Sequence, residues 1–187
     1  MRPLAMLLAF VLGLSSIPLS AGTLNGVTLP DTAQIGSHAL MLNGMGLRTK
    51  FVVKVYVAGL YVPQKSTNPG SILKADTPKR IVMHFVRDVS KAQLTDGFTE
   101  SFAANTPDAA KALKPDIDRF FAALDAVKEG QELTFTYVPG TGTSFEMDGK
   151  EKLAIAGPAF AEMLFSVWLG PKPPNEGLKK GMLLGRS

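Results

Sequence analysis

Arg48, Lys54 and Tyr56 stand out as the residues able to do chemistry. They lie in the stretch LRTKFVVKVYVAGLYV, residues 47–62, among apolar neighbours. Read as one continuous strand, side chains alternate faces, so all three share a face. The other face, Phe51, Val53, Val55, Val57 and Gly59, has no charge. A guanidinium presents a planar fork of donors that suits a carboxylate, and a phenol adds a further hydrogen bond. A charge-assisted bond of this kind contributes about 1.5–3 kcal/mol. The trio therefore points to recognition of an acid. A plainer role for Arg48 is an exposed charge at a strand entrance or a partner for an acid such as Asp88. Lys54 commonly extends to solvent, and Tyr56 and Tyr61 suit any strand.

Other chemistry is sparse. The sequence has no cysteine, which removes disulfides, thiol catalysis and cysteine metal sites. His38 and His84 are far apart and follow no metal-ligand spacing. No metal and no cofactor are expected. Gly44-Met45-Gly46 lacks the third glycine of a nucleotide fingerprint and leads into a strand, so Asn43 to Gly46 is predicted to be a turn.

The N-terminus runs Met1-Arg2, then an apolar stretch from Leu4 to Leu14, then Leu19-Ser20-Ala21. This is the layout of a secretory signal peptide with cleavage after Ala21. The apolar stretch is short of the roughly 20 residues a membrane span requires. The expected organisation is a signal peptide over 1–21 and one exported, periplasmic domain over 22–187, with no integral span. The formal charge is +4 over 187 residues and the pI about 9.3. The basic residues are scattered among acids, so no nucleic-acid partner is expected.

The elements that would position Arg48 and Tyr56 follow from periodicity. Lys79 to Val86 predicts a central strand, with Ile81, Met83 and Phe85 on one face and Val82, His84 and Val86 on the other. Ser90 to Gln93 fits a capping box, and Leu94, Phe98 and Phe102 recur every fourth residue behind it. A second helix is predicted from Pro115 to Gly130 and another from Pro158 to Gly170, with Asn175 capping a short final one. Strands return at Glu132–Val138 and on both sides of Asp148-Gly149, a strong hairpin signal. Strands, helices, strands, helix argues α+β with a largely antiparallel sheet and helices on one side.

Several segments in this order resemble a known family. They are Gly46-Leu47-Arg48, VYVAGLYV (55–62), MHFVRDV (83–89) before an aromatic-rich helix, the Asp-Gly hairpin, and AEMLFSVWLGPKPPNEGLKKGMLLG (161–185). The pattern resembles the chalcone isomerase-like family, in its bacterial exported branch, over about residues 24–185. The resemblance implies an open-faced β-sandwich, a large antiparallel sheet under a helix layer with a ligand cleft between them. It also implies one of several activities, since the family holds true isomerases, fatty-acid-binding relatives and members without known activity. The isomerase arginine corresponds to Arg48, with a shorter segment from it to Gly59. The isomerase strand threonine corresponds to Tyr56, while a helix-start tyrosine and a late-helix threonine fall at Leu94 and Val167. Two of the four polar positions are thus aliphatic. An arginine with a strand tyrosine is similar to what the fatty-acid-binding members hold.

The expected function is therefore an exported, non-catalytic binding protein for a fatty acid or similar amphipathic carboxylate. Arg48, Tyr56 and Lys54 would form the polar end of the site, and Phe98, Phe102 and Val167 the apolar wall. Two other readings stay open: an isomerase or lyase using Arg48 and Tyr56, and an envelope interaction module whose cleft is filled by its own side chains.

Overall fold

The computed structural model describes residues 21–183. The expected signal peptide, but for Ala21 at its edge, lies outside the described residues. Two short strands, β1 (Ala21–Leu24) and β2 (Val27–Pro30), pair antiparallel. They turn through Asn25 and Gly26, both at positive φ, the pairing that two-residue hairpin loops favour.

Seven strands follow in one antiparallel meander: β3 (Thr32–Ile35), β4 (His38–Lys50), β5 (Val53–Val62), β6 (Lys79–Phe85), β7 (Glu132–Val138), β8 (Gly142–Met147) and β9 (Lys150–Ile155). The helices are inserted between or after the strands. α1 (Pro69–Lys74) joins β5 to β6. α2 (Lys91–Asn105), α3 (Pro107–Ala112) and α4 (Lys114–Ala123) join β6 to β7. α5 (Pro158–Leu169) and α6 (Glu176–Leu183) come last. The α+β expectation, a large antiparallel sheet with helices, is what the chain forms.

The two faces of the sheet bury different cores. Tyr56, Ala58, Leu60, Ile81, Met83 and Phe85 face the helices together with Phe98, Phe120 and Trp168. Val57, Tyr61 and Val82 face the other way, onto Val27 and Leu29 of the β1–β2 hairpin and Leu40 and Leu42. The small hairpin thus covers part of the face that an open sheet leaves to solvent. β6 is the middle strand of seven, and its two apolar faces reflect that burial.

Local signals explain most element ends. Ser90 accepts from the Gln93 backbone N–H while the Gln93 side chain accepts from Ser90 N–H, a complete capping box. Asp148-Gly149 turns β8 into β9 with both residues at positive φ. Three expectations are corrected. The stretch 47–62 is a hairpin, not one strand: β4 ends at Lys50, a two-residue loop of Phe51 and Val52 reverses the chain, and β5 begins at Val53. Asn43 to Gly46 is not a turn but lies inside β4, with a register shift between Leu42 and Gly44. Gly46 serves close packing, since a Cβ there would sit 2.1 Å from the Leu178 carbonyl oxygen of α6. The predicted helix to Gly130 ends at Ala123, where Leu124 turns extended and buried.

Candidate functional site

The hairpin turn brings Arg48 and Tyr56 together by pairing rather than by alternation. They are direct cross-strand partners in the β4–β5 register. Side chains so paired stand roughly 4.5–5.5 Å apart at Cβ. One residue further along, the register shifts: Thr49 pairs with Lys54, and Val55 is left as a bulge. The extra residue turns Lys54 away from Tyr56. Lys54 instead donates to Asn25 Oδ1 at 2.6 Å, on the β1–β2 side. Its place at the polar end of the site is therefore corrected.

Arg48 and Tyr56 line a cleft of about 480 Å³ between the sheet and the helices. Its walls come from Val55, Met83 and Phe85 on the sheet, Leu94, Phe98 and Ser101 on α2, and Val167 and Trp168 on α5. The capping box sets the start of α2, and the four-residue spacing then aims Leu94 and Phe98 at the sheet. Phe98 packs edge-on against Trp168 at 6.1 Å and against Phe120 at 5.0 Å, which fixes the floor. Phe102, one turn further along α2, does not reach the cleft. It is buried behind Phe98 and stacks on Phe121, so it supports the wall without lining it.

The rim is charged. Lys50, Arg87, Asp88, Asp96 and Glu100 surround the mouth with Phe51. Asp88 does not hold Arg48. It accepts from Lys128 Nζ at 2.7 Å and from the Glu129 backbone N–H at 3.0 Å, and these bonds hold its carboxyl below the usual range. Arg48 donates to the Thr49 carbonyl oxygen, and no carboxylate among the described residues pairs with it. It is half-buried. A half-buried guanidinium without a counter-charge favours a ligand that supplies one.

Tyr56 is prepared as a donor. Its hydroxyl accepts from the Trp168 indole N–H at 3.1 Å. Burial pushes its pKa up to about 12, against the smaller opposing pulls of the Trp168 bond and the Arg48 charge. The phenol keeps its proton at neutral pH. No acceptor for that proton is recorded among the described residues, so it is free for a ligand oxygen. The sequence pattern alone does not assign Trp168 this role. It sits on the predicted apolar side of its helix, and the only hint was that a buried indole N–H requires an acceptor.

His84, Lys79 and Asn175 bond within the fold. His84 bonds Glu132 at 3.0 Å on the opposite face of the sheet. Lys79, 3% exposed, donates to the carbonyls of Ile72, Leu73 and Ala75 and so closes the C-terminal end of α1. The expected cap Asn175 does other work. Its side chain donates to the Leu47 carbonyl and accepts from the Thr49 N–H, tying the start of α6 to the strand that carries Arg48.

No curated protein matches the chain. Among solved structures, a fatty-acid binding protein of Arabidopsis thaliana superposes with a TM-score of 0.68. The match covers 88% of this chain and 96% of that one at 15% identity, a likeness of fold. The family model described as chalcone isomerase-like matches residues 21–184. With its sheet, helix layer and cleft, the chain belongs to the chalcone isomerase-like family.

Proposed function

We propose that this protein binds a fatty acid or a similar amphipathic carboxylate, without catalysis, after export to the periplasm. The observation that carries the reading is Arg48: a half-buried guanidinium with no carboxylate partner among the described residues, beside a protonated Tyr56, in a cleft with an apolar wall of Leu94, Phe98, Val167 and Trp168 and a charged rim. The carboxylate would accept from both donors, and the acyl chain would lie along Leu94, Phe98 and Val167. About 480 Å³ falls in the range of roughly 300–1,000 Å³ common to small-molecule sites. The fatty-acid binding Arabidopsis neighbour of the same fold supports the ligand class.

An isomerase has less support. Leu94 and Val167 face the cleft as aliphatic side chains, where the resemblance places hydroxyl-bearing residues in the isomerases. A phenol with a pKa near 12 also serves poorly as a base at neutral pH. A module whose cleft is filled by its own side chains accords poorly with the open volume beside Arg48. Export accords with the family match starting at residue 21, beside the expected cut. Ala21 pairs with Pro30 in β1, so cleavage after it would trim only the first pair.

Titration of delipidated protein with a long-chain fatty acid and with its methyl ester tests the ligand reading. The acid should bind and raise the melting temperature, and the ester should bind at least about tenfold more weakly, one 1.4 kcal/mol step. Equal binding of acid and ester, or of neither, overturns it. N-terminal sequencing of protein from the periplasmic fraction should begin at or beside Gly22. An intact Met1 there would reject cleavage.

A further inference from the structure

The tip of the β4–β5 hairpin carries side chains that the fold does not use. Phe51 is 93% exposed and Val52 94%, and Val53 follows at 39%. Single exposed apolar residues are ordinary, but three in succession are a liability unless they have a function. The backbone adds a second anomaly. Phe51 has φ of 56°, a left-handed conformation in which glycine or asparagine fits without penalty and a bulky residue is uncommon. The loop holds a phenyl ring in solvent at the one position where the turn disfavours it.

The charge on the hairpin itself is of one sign. No Asp or Glu occurs between Asp31 and Asp76, whereas Arg48, Lys50 and Lys54 bracket the loop. Arg87 lies across the cleft mouth. None of these four cations pairs with a carboxylate among the described residues. The acids nearby sit on the α2 side of the mouth, and Asp88 there is taken by Lys128. An apolar point inside a basic collar matches the interface of an anionic bilayer, where an aromatic ring sits at headgroup level and lysines meet phosphate.

We propose that the hairpin tip docks on an anionic lipid bilayer, with Phe51 and Val52 entering the headgroup–acyl boundary and Lys50, Lys54 and Arg87 lying against lipid phosphates. The contact is peripheral: no helix among the described residues is long and apolar enough to cross a membrane. Lys50, Phe51 and Val53 also line the cleft. Docking would therefore turn the mouth toward the lipid, so that an acyl ligand passes between bilayer and cleft without crossing water. This last step rests on the ligand reading above; the docking does not.

Co-sedimentation with vesicles of phosphatidylcholine, with and without phosphatidylglycerol, tests the docking. The protein should pellet with the anionic vesicles. The Phe51→Asp/Val52→Asp variant should bind them at least about tenfold more weakly, and salt should weaken the wild type. Phe51→Trp should give blue-shifted emission on vesicles, quenched by brominated acyl chains, over the constant signal of buried Trp168. Equal pelleting of wild type and double variant, an unshifted Phe51→Trp emission, or no pelleting overturns the proposal. So does a concentration-dependent dimer lost in the double variant without vesicle binding, which would assign the tip to a second copy of the chain. Titration with a soluble fatty acid separates the two readings: a Val52→Asp variant, altered outside the cleft lining, should dock more weakly yet bind the acid as the wild type does. Acid binding without docking removes this proposal alone, and docking without acid binding removes the ligand reading alone.

Discussion

Replacing Arg48 with Met should weaken ligand binding and leave the empty protein nearly as stable as before. A structural arginine would do the reverse. In the empty protein Arg48 loses one bond to the Thr49 carbonyl, worth about 0.5–1.5 kcal/mol. Against that loss, removing a half-buried charge with no counter-ion relieves a desolvation penalty, and methionine keeps the packing of the aliphatic stem. The two effects oppose, so the urea-unfolding free energy should change by less than about 1 kcal/mol. In the complex the charge-assisted bond is lost without relief. About 1.5–3 kcal/mol corresponds to a dissociation constant about 10- to 150-fold larger. Calorimetric titration with a fatty acid and urea denaturation of delipidated protein measure the two quantities separately. An Arg48→Met variant that loses more than about 2 kcal/mol of stability yet binds the acid as before would refute the reasoning, because that is how removal of a buried structural partner behaves.

Val167→Phe should fill the cleft beside Trp168, weaken acid binding by at least about tenfold, and leave the melting temperature of the empty protein unchanged or higher, since the ring replaces a void. Gly46→Ala should lower the urea-unfolding free energy by roughly 1–3 kcal/mol, because the new methyl meets the Leu178 carbonyl oxygen at 2.1 Å, and that backbone can yield only if α6 shifts. Tyr56, Tyr61 and Tyr137 are each pushed up to about 12, burial being the largest cause in all three. Folded pKa values above the unfolded ones mean that the unfolded chain releases these protons first. The stability they contribute is complete below pH 10 and is lost as pH rises through 12. Lys79 acts in the opposite sense, since burial lowers its pKa and relieves a penalty as pH climbs toward 10.5. Urea midpoints should therefore hold up to about pH 10 and then fall. Tyr56→Phe should remove a share of about 3 kcal/mol from that fall; an unchanged alkaline limb would contradict the assignment.

The sequence carried the fold class because several local signals agreed. The Ser90 capping box, the Leu94–Phe98–Phe102 stripe, the Asp148-Gly149 turn and the alternation of β7 each specify one element, and their order specifies the layers. Asn25-Gly26 is an equally clear hairpin signal. The β4–β5 turn was not legible, because Phe51 and Val52 are strand-forming residues placed where turn residues belong. Gly44 and Gly46 drew the turn assignment instead, although Gly46 is small because α6 crosses the strand there. The site followed the same pattern. Arg48 and Tyr56 share a face under either reading, so their proximity survived the wrong topology. Lys54 did not, because a bulge shifts parity by one residue and no residue type announces it. Phe102 has the correct helical phase but sits one turn too far along, a distance that periodicity alone does not set.

The central claim is that the cleft holds an amphipathic carboxylate at Arg48, and mass spectrometry of organic extracts of the purified protein tests it most directly. The account predicts a recurring fatty acid in wild-type extracts that is absent from Arg48→Met prepared in parallel. Wild-type extracts without any acid, from protein that also shows no thermal shift with medium- or long-chain fatty acids, would contradict it.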